Sequence, residues 1–507
     1  MFFNKAIDTQ KLTFILSLAF CLLFLLPAAF FPDVFKLKLE EWTVSSMGIF
    51  GNYYLWLGFL AVVLLLILAF STTGNKRLGK EKPEYGWFSW IAMLYSTGMG
   101  GGLLLRAVQE PVYYFSNPPR ISVFSDSEFA LQYTFFHWGL TPWAFYGLFG
   151  LIISYNLYIR KKSILGSAFL GKRFESTIWV STVDLLIIIC TLLGVVAGVG
   201  LGSRQLLSAL IYWTEWNQLV SGNAIFIVLL VCFLATFSAF LGVNRGIRVL
   251  SNLNIGMASI LLAFIWLVGS EWSILGNLFK SMGVYLWEFV PMSLNLKSHQ
   301  VSKDFLIDWT YFYWAFWLAW APFTGVFIAR ISQGRTIRQF IVGVILVPSF
   351  GTFLWFSVFG GNAFWLLETG SVVLEDFISI YSSLFNFLDN FPLSNWSNAV
   401  ASILVFTFLI TSIDSAIFVL SMFSDKGKTE PNKRFRLFWG ITIAIFAMAV
   451  IWIGKESLLE SVSQLMILFA LPFSFLFSGM ILYFIYQLCI NKNHEQKSKA
   501  HNTFPEM

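Results

Sequence analysis

The chain has 507 residues, of which 57% are hydrophobic and 12% charged, with a formal net charge of +6. An ordinary soluble domain carries roughly 25% charged residues, so a soluble globular protein is excluded. The basic residues are spread over many short segments rather than gathered on one stripe, which suits membrane topology and lipid headgroups and argues against a nucleic-acid partner. Cys21, Cys190, Cys232 and Cys489 lie within or at the ends of apolar blocks, without Cys-x-x-Cys spacing or neighbouring histidines, so neither a disulfide framework nor a zinc site is encoded. No Gly-x-x-x-x-Gly-Lys-Ser/Thr loop occurs; ATP hydrolysis on this chain is excluded, and no cofactor is expected.

The apolar residues come in blocks of about 20, each long enough to cross a hydrocarbon core of about 30 Å as a helix. The run Leu55 to Phe70 is apolar on every face, unlike the alternating strands of a membrane barrel. Hydropathy predicts an all-α integral membrane protein with helices near 12–31, 51–72, 86–115, 130–158, 177–208, 222–242, 252–270, 308–332, 337–360, 396–424, 434–453 and 463–489. The first block follows Lys5 and Lys11 but lacks a small-residue cleavage site, so it reads as a retained span rather than a signal peptide.

Lys76, Arg77, Lys80 and Lys82, then Arg160, Lys161, Lys162, Lys172 and Arg173, then Arg245 and Arg248, Arg335 and Arg338, and Lys433, Arg434 and Arg436 fall in loops on one side. Positive charge marks the cytoplasmic face. Asp126, Glu128, Glu368, Glu375 and Asp376 fall on the other, so both termini are expected in the cytoplasm of a cell whose cytoplasmic membrane holds the protein. The whole chain, 1–507, reads as one transmembrane domain: two peripheral spans at about 12–72, one five-helix repeat at about 86–270, a second at about 308–489, and a short tail, 490–507.

Secondary transporters place their sites at the midplane, where helices in corresponding positions of two repeats are interrupted. The third span contains Ser96-Thr97-Gly98-Met99-Gly100-Gly101-Gly102, and each glycine costs a helix about 1 kcal/mol relative to alanine. Five spans later, Pro322 follows Trp320 and Ala321 and removes a backbone hydrogen bond. This predicts two interruptions; the alternative for the glycines is close helix packing. The eighth span gathers Phe316, Trp317 and Trp320 just before Pro322, and the fourth offers His137-Trp138-Gly139-Leu140, Trp143 and Tyr146. Rings enclosing a space hold a quaternary ammonium group through cation–π contact, each worth up to about 2 kcal/mol when desolvated. The bland alternative is aromatic packing.

The segment from Trp309 through Arg330, with Ser332, Gly334 and Arg335, resembles the signature of the betaine/carnitine/choline transporter family. Supporting motifs are Gly98-Met99-Gly100 with Glu110-Pro111, His137-Trp138-Gly139-Leu140, Gly242-Val243-Asn244-Arg245-Gly246-Ile247 with Leu250-Ser251, Phe356-Ser357-Val358-Phe359-Gly360-Gly361, and Thr411-Ser412-Ile413-Asp414-Ser415. The resemblance implies twelve helices, an inverted five-helix repeat like that of LeuT, a homotrimer, and uptake of quaternary ammonium compounds by alternating access. It further implies an aromatic box of Trp138, Trp143, Tyr146 and Trp317, with Trp320 nearby. For the coupling ion it implies a sodium site from backbone carbonyls near Ser96, Met99 and Phe408 and the hydroxyls of Thr411 and Ser412. Phe316 stands where the family usually has a tryptophan, and Ala197 and Gly198 stand where sodium-coupled relatives commonly show hydroxyls, which weakens the case for a second sodium site.

Arg106 follows the glycine-rich stretch by one turn, where the family has an aromatic residue. A charge within a membrane helix costs about 2.5 kcal/mol or more and is functional or paired by default. Glu110 at i+4 offers an intrahelical ion pair; the sharper expectation is that Arg106 meets a substrate carboxylate, favouring betaine or carnitine over choline. Arg204 is a second intramembrane base with no assigned partner. The expected function is sodium-coupled import of a quaternary ammonium compound such as glycine betaine, with an ion-independent exchanger of carnitine-like substrates or a proton-coupled choline importer as alternatives. Asp184, Asp414 and His137 are the groups a proton path could use, and no enzyme activity is expected.

Overall fold

The computed structural model describes residues 9–79, 82–120, 125–171, 174, 177–214, 223–269 and 273–503. Lys5, Lys80, Lys172 and Arg173, used above to orient the chain, lie outside the described residues. Eighteen helices follow in order: α1 Thr9–Phe30, α2 Pro32–Phe70, α3 Trp87–Gly98, α4 Gly100–Arg106, α5 Gln109–Ser116, α6 Asp126–Trp138, α7 Leu140–Ser154, α8 Ile178–Thr214, α9 Ala224–Leu241, α10 Arg248–Val268, α11 Ile274–Leu294, α12 Lys303–Phe305, α13 Phe312–Ile331, α14 Ile337–Ile341, α15 Val347–Glu368, α16 Ser383–Leu388, α17 Ser394–Ser424 and α18 Lys433–Thr503. Among the described residues there is no strand, only an isolated bridge between Arg77 and Thr336.

Among the described residues ten segments, two of them within α18, are long and apolar enough to cross a membrane, and α3 with α4, bent by 60°, make an eleventh. The protein is an all-α, multi-pass membrane protein. The stretch expected to be one span at 130–158 is divided at Gly139, which has φ −101° and ψ −123°, into α6 and α7 of 13 and 15 residues. Ser125 caps α6: its hydroxyl accepts from the Glu128 N–H while the Glu128 carboxylate takes the Ser125 N–H, satisfying two otherwise orphaned donors.

Two further elements, α2 and α11, differ from the hydropathy reading. α2 begins at Pro32, with the proline in its first turn, because Pro lacks only an N–H that would have no helical partner there. α11 was not expected; it leaves Leu286 and Trp287 exposed and is too polar to register as a span. The spans expected at 434–453 and 463–489 are found, as Lys433–Trp452 and Glu460–Ile490, both within α18.

Pro322 does not interrupt its helix: α13 runs through it from Phe312 to Ile331. The irregular part comes earlier, as a π turn over Leu306–Tyr311. Nearly every residue of α13 is buried, against α7, α8, α17 and α18. Membrane helices tolerate proline where neighbouring elements hold the backbone, and packing on all sides supplies that here.

α13, α17 and α8 contact one another, and α3 packs on α10 and α17. At the end of the bundle carrying Arg330, charges close these elements together. The Arg330 side chain is 7% exposed, and its Nη1 lies 2.8 Å from Glu84 Oε2. Its Nε donates to the Thr429 carbonyl at 2.9 Å, and its Nη2 meets Glu430. Arg436 reaches Glu430 at 3.4 Å. Arg335 lies over the rings of Trp87 and Trp90, 4.3 and 4.7 Å from their centroids.

Candidate substrate-binding site

The bend between α3 and α4 sits at Met99, with φ −143° and ψ −5°. The glycines around it are seats for rings. A Cβ on Gly98 would stand 3.1 Å from the Trp143 ring and 3.3 Å from Tyr146; one on Gly102 would stand 2.9 Å from Trp138; one on Gly100 would overlap Phe408. Tyr146 donates its hydroxyl to the Gly98 carbonyl at 3.3 Å, giving a partner to a backbone group at the helix end.

Beside this bend lies a cavity that encloses, with its mouth, about 1040 Å³. Its aromatic wall is Trp138 from α6 and Phe312, Tyr313, Phe316, Trp317 and Trp320 from α13. Trp317 is central: its ring centroid is 5.1 Å from Trp138 in an edge contact, 4.9 Å from Phe316 in another, and 5.9 Å from Tyr313 in a stack. Spacings of three and four residues put Tyr313, Phe316, Trp317 and Trp320 on one face of α13. On the opposite wall α8 contributes Val195, Gly198, Val199 and Gly202. A Cβ on Gly194 would lie 3.2 Å from the Trp320 indole, and one on Gly198 3.4 Å.

The rings are oriented from behind by a buried carboxylate. Glu110 is wholly buried; Trp138 Nε1 donates to its Oε2 at 2.9 Å, as does the Tyr313 hydroxyl, while Tyr114 donates to its Oε1 at 3.1 Å. Trp317 Nε1 donates to the His137 carbonyl at 2.9 Å. His137 itself bonds Tyr114 through Nδ1 and Thr310 through Nε2.

Of the expected substrate residues, Trp138, Phe316, Trp317, Trp320 and Arg106 line the cavity. Trp143 and Tyr146 do not line it; they pack behind Gly98, with Tyr146 6.2 Å from Trp317. Tyr313 and Phe312 were missed, although Tyr313 shares the helical spacing of the other rings. Glu110 was missed as a ring holder because its partners come from three separate helices. The α8 residues give no periodic signal, since that run is apolar all round.

Arg106 is not paired with Glu110. Its Nη1 donates to Gln109 Oε1 at 2.6 Å, and its guanidinium carbon lies 5.8 Å from the Trp309 ring centroid. α4 ends at Arg106 and α5 begins at Gln109, so the i,i+4 adjacency of a continuous helix does not carry across. Arg204 finds Tyr381, with a hydrogen bond of 3.3 Å and the ring centroid at 5.5 Å.

The five expected sodium residues gather where α3 crosses α17. Ser412 Oγ donates to the Ser96 carbonyl at 3.5 Å. Thr411 Oγ1 lies 2.9 Å from the Phe408 carbonyl and accepts from Asn254 at 3.2 Å. The Met99 carbonyl accepts from Leu103 N–H at 3.1 Å, and the Phe408 ring sits on Gly100. All these oxygens are neutral, a donor set suited to a hard monovalent cation. Asp414 is buried, with donors from Ser238 at 2.5 Å and Ser415 at 3.3 Å, and Ser415 also meets Thr97 at 3.0 Å. Asp184 accepts from the Ser167 N–H and hydroxyl, at 2.9 and 2.8 Å. Among the described residues no three His, Cys, Asp or Glu side chains group as a metal site.

The family model of the betaine/carnitine/choline transporters matches residues 12–493. The chain belongs to this family. It is 38% identical over 445 residues to the glycine betaine transporter OpuD of Bacillus subtilis, covering 85% of each chain. It is 33% identical over 464 residues to the ectoine/hydroxyectoine transporter of Virgibacillus pantothenticus, covering 89% of this chain and 91% of that one. With the high-affinity choline transport protein of Escherichia coli the identity is 34% over 483 residues, 92% of this chain and 70% of the relative. These family members are transporters, not enzymes.

Proposed function

We propose that the protein imports a quaternary ammonium solute across the cytoplasmic membrane, with sodium as the coupling ion, by alternating access between two inverted five-helix repeats. The observation that carries this reading is the cavity wall: five rings of α13 and Trp138 surround a space beside a bent helix. Tetraalkylated nitrogen donates no hydrogen bond, so π faces are its natural partners. Trp138 and Trp317 give their indole N–H groups to Glu110 and to the His137 carbonyl, which leaves their faces for the guest. Two of the relatives, the glycine betaine transporter and the choline transport protein, are named for solutes with that head group.

In this reading the neutral oxygens at Ser96, Met99, Phe408, Thr411 and Ser412 bind sodium between α3 and α17, so that ion and solute load opposite sides of one bend. The Arg330 end then faces the cytoplasm, in keeping with its basic loops, both termini lie on that side, and three copies assemble as in the family. Proton coupling is the second reading, favoured by Asp414, a buried carboxylate held by the hydroxyls of Ser238 and Ser415 without a basic side chain among its hydrogen-bond partners in the described residues.

The test is uptake of labelled glycine betaine into proteoliposomes under separate inward sodium and proton gradients, with choline and carnitine as competitors. Accumulation driven by sodium supports the proposal. Accumulation driven only by protons replaces the ion, and uptake that needs solute preloaded inside, whatever the gradient, makes the protein an exchanger.

A further inference from the structure

We infer that Arg106 recognises the substrate's carboxylate, and that the cavity selects zwitterions whose carboxylate lies one carbon from the quaternary nitrogen. The inference rests on the quaternary ammonium reading given above. Arg106 is the one ionisable charge among the described residues lining the cavity; no aspartate or glutamate joins it there. Glu110 makes no direct ion pair with it, its oxygens being taken by Tyr114, Trp138 and Tyr313. A guanidinium has five N–H donors, and the one hydrogen bond Arg106 makes among the described residues is to Gln109. Gln109 and the Trp309 ring thus fix the group's position while leaving donors for a ligand.

The spacing sets the length of that ligand. Trp138, one wall of the aromatic box, is seated on Gly102, and Arg106 follows on the same short helix. Four residues of α-helix rise about 6 Å. In glycine betaine the quaternary nitrogen and the carboxylate carbon are joined as N, Cα and C are in a peptide, about 2.5 Å apart. A charge-assisted N–H···O contact of about 2.8 Å from a carboxylate oxygen completes a span close to that rise. A chain longer by two carbons, as in carnitine or γ-butyrobetaine, overshoots the guanidinium unless it folds. Choline brings a second positive charge and only a neutral hydroxyl as acceptor, leaving Arg106 with a like charge and no anion to bind.

The test uses the purified full-length protein and the quenching of its tryptophan fluorescence. Glycine betaine, its methyl ester, choline and γ-butyrobetaine are titrated into wild type, Arg106→Gln and Arg106→Lys. The methyl ester keeps the cationic head and removes the anion. Wild type is expected to bind glycine betaine tightest. Arg106→Gln should weaken glycine betaine by roughly thirtyfold or more and leave the ester and choline unchanged or tighter. Arg106→Lys keeps the charge without the planar fork and should fall between. Equal weakening of all four ligands in both variants, or no change in any, overturns the inference while the quaternary ammonium reading stands. Should wild type bind none of the four, both fall. Retained binding of choline and the ester shows that Arg106→Gln is folded.

Discussion

The two ends of the bundle are built on opposite terms. Toward Arg106, α13, α17 and α8 stand apart around a cavity whose wall is rings and glycines. Toward Arg330, Glu84 from before α3 and Glu430 and the Thr429 carbonyl from after α17 converge on one guanidinium of α13. Dispersion and π contact shape the first end; ionic bonds close the second. In the alternating-access reading proposed above, ligand acts at a site of short-range contacts, while the far side is held by charges.

The largest effect should come from the cavity end. Trp317→Ala removes the ring that touches Trp138, Tyr313 and Phe316, and uptake should fall roughly hundredfold, because a desolvated ring contributes about 2 kcal/mol or more to a cation and buried aromatics anchor such sites. Trp317→Phe should recover most of it. If the alanine variant transports normally, the rings are packing and the contrast between the ends is lost.

A second effect sharpens the boundary between solute and ion. The double variant Thr411→Ala, Ser412→Ala should raise the sodium concentration for half-maximal uptake about tenfold, with glycine betaine affinity at saturating sodium little changed. Unaltered sodium dependence would sink the α3–α17 ion site.

At the Arg330 end a smaller shift is expected from Glu430→Gln. Glu430 is 56% exposed, so its pair is screened and worth about 1 kcal/mol at most. That corresponds to about a fivefold change in the balance of states. A cysteine placed at the buried Thr324, with Cys489 replaced by serine, should react severalfold faster with a membrane-impermeant thiol reagent in the Gln background. Arg330→Gln, which frees three partners at once, should do so more strongly.

The smallest effect concerns a polar staple near the Arg106 end. His299 is 2.8 Å from Glu288 through Nδ1 and 2.7 Å from Tyr133 through Nε2. Burial, with Arg120 adding to it, pushes its imidazole down to about 4 against the pull of Glu288. Between about 6.5 and 4 the unfolded chain binds the extra proton and the folded one does not, so the stability this group contributes is complete above pH 6.5 and declines as pH falls toward 4. His299→Gln should lower the melting temperature at neutral pH, and the gap from wild type should close in acid. A gap that stays constant would show that the staple does not depend on a neutral imidazole.

Much of this was legible in the sequence. Twenty-residue apolar blocks dictate membrane helices whatever their partners, and four glycines in five residues marked the bend at Met99. Rings at helical spacing placed Phe316, Trp317 and Trp320 on one cavity wall. What sequence spacing could not convey was three-dimensional convergence. Glu110 and Arg106 read as an ion pair only if the helix is continuous, and the α4–α5 boundary breaks it. Pro322 reads as a break only if nothing holds the backbone, and α13 is enclosed. Trp143 and Tyr146 look like box residues by the resemblance, but Gly98 lacks a side chain and admits them behind the bend instead.

The seat of Trp320 has a mechanical consequence. Its indole rests along Gly194 and Gly198 of α8, and its N–H takes no hydrogen-bond partner among the described residues. No directional bond therefore fixes this ring to the surface beneath it, and two glycines one turn apart offer a smooth track without side-chain ridges. At this point α13 and α8 are matched by shape alone, whereas at Arg330 the elements are joined by charge.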